Sequence, residues 1–522
     1  MVFLKLAFSA AFLAINWSSV SAGDLDDTTT SRFQVEVPSH LFRDEGYRHR
    51  EALFGGIPYG HEISQMVYYA DSDLCEEQVD TRKGYPCTLE SDGKCKKWES
   101  PFILMVDRGE CMFVEKVRKA QIAGAAAVLI ADNICTCDSQ NANTCQSNPG
   151  EACEGVEPIM ADDGSGGDIT IPAFLLFKED ADTLKEVLVN QNGLVQVKMT
   201  WDTPAPDDRV EWEFWHSPTE ETTKHFQSVF EADTKALGTH AFFTPHFAIW
   251  QRSQCIGNNV CDGLCTNGGR YCADDPDGPG SINGADVVIE SLRRICIWNT
   301  HGTDGVGQKW WRYIKEFGET CDDVKYPERF PSPQDFSCAT SAMKKAGIDH
   351  SAIESCMLQS GGTTSTGTNV LLDNEISALE QSGVFIFPAI TINNKLMFGK
   401  IDNRNVFNAI CAGFLDGTSP DICDKCEGCA SSELEHCASS GVCSGGGGSG
   451  SGGKSGGGVS TGTLVFSLLF TVGIMGGAGF VYYRRQQAEM RDQVRGILAE
   501  YMPLDDDGLS TQLTSKGSGT SI

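Results

Sequence analysis

The sequence predicts a multidomain chain of mixed α+β and α/β class that carries one transmembrane helix. Three observations lead there. Residues 101–131 read as strand, helix, strand; an uncharged apolar stretch runs from Thr463 to Tyr483; and all 22 cysteines lie between Cys75 and Cys443.

The N-terminus reads as an address rather than a fold. Lys5 precedes an apolar run from Leu6 to Ile15, and Val20-Ser21-Ala22 offers small residues for cleavage, so residues 1–22 are expected to be a secretory signal peptide. The 21 residues from Thr463 to Tyr483 carry no charge. At a rise of about 1.5 Å each they cover the roughly 30 Å of a bilayer's hydrocarbon core. Arg484 and Arg485 follow directly, which places the tail, 484–522, in the cytosol and everything before Thr463 in a lumen or outside the cell. Residues 444–462, rich in Gly and Ser, form a linker with no means of packing a core.

An even number of cysteines confined to the lumenal part implies disulfides in an oxidising compartment, with connectivity left open by the sequence. Cys87, Cys95, Cys135, Cys137, Cys145 and Cys153 read as staples for long loops. The formal net charge of −30 belongs almost wholly to the lumenal part, because the tail nearly balances. Such a surface disfavours nucleic acid and favours cationic partners.

Within the first block, residues 32–202, "RFQVEV" and "QMVYYA" alternate as strands do. "PFILMVD" (101–107) is a continuous apolar strand, "RGEC" a turn, and Phe113, Val117, Ala120 and Ala123 recur at helical spacing before the second buried strand, "AAAVLIAD". Two strands joined through a helix predict a parallel pair. In the second block, 209–422, strands are expected at "VEWEFW", "HAFFTPHFAIW" and "VFIFPAITINNKLMFGK". Helices are expected at "TTKHFQSVFEADTKAL", "ADVVIESLRRICIW", "QKWWRYIKEFGETC", "DFSCATSAMKKAG", "DHSAIESCML" and "NRNVFNAICAGFL". The pairs Cys296–Cys321 and Cys338–Cys356 are expected as helix-hairpin staples, and a short Cys-rich segment, 423–443, ends the lumenal part. "DPDGPGSINGAD" (275–286) mimics an EF-hand loop only loosely and reads as a lead into a helix, while "DGSGG" (163–167) reads as a turn.

Four stretches together resemble the plant-type vacuolar sorting receptors: "DRGECMFVEKVRKAQIAGAAAVLIAD", "THAFFTPHFAIW" with "GRYCADDPDG", "PAITINNKL" and "RGILAEYMPLD". The resemblance implies a protease-associated, β-barrel-like domain containing the βαβ unit over 32–202. It implies next a thioredoxin-like α/β domain with helical insertions over 209–422. No complete EGF-like repeat stands before the span, unlike in that family. The implied function is a type I membrane receptor that binds soluble vacuolar or lysosomal cargo and recycles through Golgi, trans-Golgi and prevacuolar membranes.

By the same resemblance the cargo loop is Arg108, Gly109, Glu110, Cys111, Met112 and Phe113, with Cys75 the implied partner of Cys111. Glu110 replaces the family's Asp and Met112 its Tyr. The chemistry of the loop suits peptide binding. Arg can grip a carboxylate through two donors, Gly permits close backbone approach, and a helix N-terminus leaves amides unpaired. In the tail, Tyr501, Met502, Pro503 and Leu504, with Ile497 and Leu498 before them, match the family's sorting signal for clathrin-adaptor-type machinery.

Pro388 matches the proline that precedes a strand in thioredoxin folds, yet His216-Ser217-Pro218-Thr219 stands where a redox pair would be needed. The competing reading is a membrane-tethered thiol oxidoreductase built on Cys423, Cys426 and Cys429, or a zinc site completed by His436 or Cys437. A cell-surface interaction protein on the same scaffold is the third. Outside the Gly/Ser linker no HExxH, nucleophile-elbow GxSxG or phosphate-binding loop occurs, so no catalytic residue, metal or cofactor is assigned. His216, His225, His240 and His246 lie near one another in sequence and raise the idea of acid-triggered cargo release.

Overall fold

The computed structural model describes residues 31–443, apart from 77–87, 90–94, 97–100, 137–152, 155–156, 258, 277–281, 333–334 and 365. The expected signal peptide, linker, membrane span and sorting signal therefore lie outside the described residues, as do Cys87, Cys137 and Cys145. Among the described residues no helix is long and apolar enough to cross a membrane.

The first half forms one seven-stranded mixed sheet. Its strands are β1 (Ser31–Val37), β2 (His49–Glu51), β3 (Glu62–Tyr69), β4 (Ile103–Asp107), β5 (Ala127–Ala131), β6 (Ala173–Leu176) and β7 (Gln196–Trp201), in the spatial order β1-β7-β3-β4-β5-β6-β2. The four central strands β3, β4, β5 and β6 run parallel, and antiparallel strands flank them. The sheet nearly closes on itself. Ser31 on β1 reaches His49 and Glu51 on β2 through its hydroxyl, and the Trp201 indole of β7 donates to Glu51.

Helix α1 (Phe113–Ala123) is the crossover between β4 and β5, and α2 (Lys178–Lys185) follows β6. α1 forms because Val114, Val117 and Ala120 fall on one face, and it stops at Gly124, whose φ of 98° suits glycine alone. Strand alternation sorts the apolar side chains to both faces. Leu104, Val106, Val128 and Ile130 pack under α1, while Ile103, Met105 and Leu129 face a second core that continues into the other half of the chain.

That half is built on a four-stranded sheet: β8 (Val210–His216), β9 (Ala241–Phe247), β10 (Ala389–Ile392) and β11 (Lys395–Leu396), ordered β9-β8-β10-β11. β8 and β9 are parallel and the other neighbours antiparallel. Helices α3 (Glu221–Val229) and α4 (Glu231–Leu237) join β8 to β9. The insertion before β10 holds α5 (Gly284–His301), α6 (Gln308–Thr320), α7 (Ser337–Lys345), α8 (His350–Gln359) and α9 (Val370–Ser382). After β11 come α10 (Asn403–Ala412), α11 (Asp421–Cys426) and α12 (Ser431–Ser440). The lead into α5 is a capping box between Asn283 and Asp286, which explains the loose EF-hand look of that loop.

The helical insertion corrects two expected disulfides. Cys296 bonds Cys356, and Cys321 bonds Cys338. Cys321 closes α6 and Cys338 opens α7, so this pair spans the α6–α7 connection. Cys296 lies inside α5, which packs on α8, and there it meets Cys356. The expected pairing assumes that each bridge staples one helical hairpin, whereas Cys296–Cys356 spans 60 residues. Cys75–Cys111 is as expected. Among the loop staples Cys135 is disulfide-bonded.

The two sheets meet at a polar joint. The Tyr59 hydroxyl donates to the Phe398 carbonyl at 3.0 Å and accepts from the Phe398 amide at 2.8 Å, with all three groups buried. The Gly399 amide donates to the Ala52 carbonyl and the Lys400 amide to the Gly55 carbonyl. Removing one hydroxyl therefore strands two buried backbone groups. Tyr59→Phe should lower unfolding free energy by about 2–5 kcal/mol, read from denaturant unfolding of the full chain. A loss within about 0.5 kcal/mol, the scatter of neutral surface changes, would contradict the joint.

Candidate functional site

The carboxyl ends of the parallel strands are where α/β sheets present ligand-binding loops. Here the loops after β3, β4 and β5 carry Asp73, Arg108–Met112 and Asp132–Ile134. Between the last two lies an open cleft of about 520 Å³ lined by Arg108, Gly109, Glu110, Asn133 and Ile134. Three expected cargo-loop residues are thus brought together with two that sequence reasoning missed. Met112 is 55% exposed beside them, whereas Phe113 is half-buried and opens α1.

Arg108 is committed in part. Its Nη1 donates to Asp132 Oδ1 at 3.1 Å, and Asp132 is wholly buried. The same carboxylate oxygen accepts the Ile134 amide, and Asn133 Nδ2 donates to the Arg108 carbonyl. The cation expected to grip cargo is therefore also the strut joining the two cleft walls. Glu110 is exposed and is the unburied carboxylate of the rim.

The loop's other side is pinned by residues 73–75. Asp73 Oδ1 accepts the Cys75 amide, and the Cys111 amide points at Cys75 Sγ, 3.0 Å away. Lys116, buried in α1, donates to the Asp73 carbonyl at 2.6 Å and approaches Cys75 Sγ at 3.1 Å. The Cys75 amide chiefly holds the Asp73 carboxyl below its usual range; Lys116 and the Glu110 amide assist, against burial. Gly109 is required by this crowding. A Cβ there would lie 2.3 Å from Asp73 Oδ2.

In the other half, the peptide bond Phe387–Pro388 is cis and leads into β10. The register that pairs Trp215 with Ala389 sets the turn after β8 beside it. That turn, Ser217-Pro218-Thr219, carries no thiol; Glu220 caps α3 by accepting the Thr222 and Thr223 amides. Cys423, Cys426 and Cys429 bond Cys411, Cys437 and Cys443, so the sequence "CDKCEGC" supplies one half of three disulfides rather than a dithiol. The sulfurs of Cys426, Cys429 and Cys437 lie within 4.8 Å of one another, but none is a thiolate able to hold zinc.

The histidines separate. His216 is buried, donates from Nδ1 to the Phe214 carbonyl and meets Gln227 at Nε2; burial pushes its pKa down to about 3. His246 stacks on Trp215 at 3.9 Å and lies 3.0 Å from Glu375 and 3.8 Å from Glu213. Burial alone would depress it, but the two carboxylates override that and raise it to about 9. His216 thus stays neutral and His246 charged across neutral and mildly acidic pH, and neither is an acid trigger. His225 and His240 are exposed.

Two family models match the chain: the PA domain over residues 64–184, and the vacuolar sorting receptor thioredoxin-like domain over 210–411. "Vacuolar-sorting receptor 1" of Pisum sativum is 31% identical over 425 residues, covering 76% of this chain and 63% of that receptor. The chain is a homologue of the vacuolar-sorting receptors. "Vacuolar-sorting receptor 4" of Arabidopsis thaliana is 31% identical over 390 residues, covering 70% of this chain and 57% of that receptor. The chain spans less than two thirds of the length of these receptors. Overlap with solved structures is too loose to carry an argument; a zinc aminopeptidase from Bacillus subtilis gives 20% identity, a TM-score of 0.19, and covers 33% of this chain and 30% of its own. The PA model coincides with the sheet that carries the cleft, and the receptor-type thioredoxin-like model with the sheet whose turn lacks a thiol.

Two outcomes test the geometry of this receptor homologue. Gly109→Ala should destabilise the fold by about 1–3 kcal/mol, and adding Asp73→Ala should recover part of that loss in a double-mutant cycle; full additivity would contradict the clash. The raised pKa of His246 means that its stabilisation is fully present below about pH 6.5 and is lost as pH rises through about 9. His246→Gln should therefore abolish a loss of about 3 kcal/mol between those limits, read by denaturant unfolding; unchanged pH profiles would contradict the charged triad.

Proposed function

We propose that the chain is a type I transmembrane receptor that sorts soluble proteins from the Golgi to vacuole- or lysosome-like compartments. Its PA domain, residues 32–202, binds cargo peptides through Arg108, Gly109, Glu110, Cys111, Met112 and Phe113. The thioredoxin-like domain, 209–422, serves as a rigid partner without thiol chemistry. The apolar stretch 463–483 anchors the chain, and Tyr501 to Leu504, aided by Ile497 and Leu498, recruits clathrin-adaptor-type machinery.

One observation carries this reading: the open cleft at the strand ends is lined by the loop that the family resemblance assigns to cargo. Its chemistry suits an extended peptide. Glu110 offers a carboxylate to a cationic side chain, Ile134 an apolar wall, and the Arg108 side a polar one. Asn133 and Ile134 join the proposed contact set, with Asp132 holding Arg108 in place.

The test is affinity of the full chain for the sorting peptide of a soluble vacuolar precursor. Glu110→Lys should weaken binding at least about tenfold, or about 1.4 kcal/mol, while stability changes by no more than about 0.5 kcal/mol, as at other exposed positions. Unchanged affinity would refute the assignment. Tyr501→Ala should leave that affinity intact and redistribute the tagged receptor among membranes.

A further inference from the structure

Asp233 on α4 is fully buried, and neither of its carboxylate oxygens has a hydrogen-bond partner in another residue. α4 packs against α12, which forms a hairpin with α11 tied by Cys426–Cys437. An ionised carboxylate left without donors costs several kcal/mol, so such a group is kept as the neutral acid.

The surroundings offer it no cation. On the neighbouring elements the buried side chains are uncharged: Thr223, Phe226 and Gln227 on α3, Trp310 and Trp311 on α6, Cys426 on α11, Leu434 and Cys437 on α12. Lys235 of α4, Lys309, Arg312 and Lys315 of α6, Lys425 of α11, His436 of α12, and His225 and His240 are exposed. Lys224 is bound to Asp322 and Asp323, and His246 of β9 to Glu213 and Glu375. The charge that bears on Asp233 is the Glu435 carboxylate of α12, of like sign.

We propose that Asp233 is a proton-operated latch: as the acid it seats the α11–α12 hairpin on the thioredoxin-like domain, and as the carboxylate it loosens that hairpin. Burial first, then Glu435, pushes its pKa up to about 8, against a pull from its own amide. A raised pKa means that the seating is strongest in acid, fully so below about pH 3.8, and weakens as pH rises through about 8. Within a lumen that acidifies along its route, the last stapled helices before the Gly/Ser linker would tighten as the chain advances. This latch stands apart from the cargo reading and is tested without cargo.

The experiment is hydrogen exchange of the full chain, following residues 431–440 with α5 as the internal reference. After correction for intrinsic rates, protection of α12 should fall at least about tenfold from about pH 5.5 to about pH 7.5, the ceiling for one proton being about a hundredfold. Asp233→Asn should hold α12 at the acid level of protection at both pH values. Glu435→Gln, at the surface, should move the midpoint to lower pH. Equal protection of wild-type α12 at both pH values, or an Asp233→Asn profile that follows wild type, overturns the latch. Should Asp233→Asn fail to fold, an unmoved midpoint in Glu435→Gln overturns it.

Discussion

The candidate site depends on one close approach, that of the Asp73 side chain to the backbone of Gly109. Everything at the cleft's rim follows from it. The turn after β4 leaves the sheet where a residue without a Cβ passes the Asp73 side chain, and the Cys75–Cys111 bond ties the turn to the loop after β3. Lys116 closes the arrangement from inside α1 by binding the Asp73 carbonyl. A peptide-binding loop held at several points loses less entropy when it binds than a free one does. The helix N-terminus that follows is thereby presented in a fixed position.

The second half of the chain lends rigidity. One apolar core runs from the concave face of the first sheet into the aromatic layer around Trp212, Phe214 and Trp215, and Tyr59 pins the two backbones together at Phe398. Its thioredoxin-like landmarks are kept as architecture: the cis bond before β10, the turn after β8 and the helix that follows. The turn itself carries no cysteine. A neutral buried histidine ends β8, and a charged histidine between two carboxylates locks β8 and β9 to α9. These are groups whose protonation is held constant, which suits a scaffold. Asp233 differs, because neither a counter-charge nor a hydrogen bond from another residue reaches its carboxylate.

The parts of this architecture legible in the sequence are those governed by short-range periodicity. Strand β4, the turn, α1 and β5 follow from a continuous apolar run, a Gly-containing break and spacing of three to four residues. The lead into α5 is legible because Asn283 and Asp286 cap within three residues of each other. What escapes is set by distance. The joint uses a phenol hydroxyl and backbone atoms 339 residues away, and no side-chain pattern encodes it. The pairing of Cys296 with Cys356 depends on how α5 packs on α8, whereas proximity in sequence favours Cys321. Helix α9 escapes although Asn369 caps it and Gly383 ends it, because its apolar face is narrow. In the cleft, Arg108, Gly109 and Glu110 are marked by resemblance. Asn133 and Ile134 need the rule that neighbouring parallel strands present their following loops side by side.

On the proposed function, ligand recognition occurs at these strand ends and not at the thioredoxin-like turn. The most direct test is a hydrogen-exchange footprint of the full chain with a saturating vacuolar sorting peptide. Protection should appear at residues 108–113 and 132–134 and leave 217–220 and 387–389 unchanged. Protection confined to the latter two segments would place recognition at the thioredoxin-like turn instead.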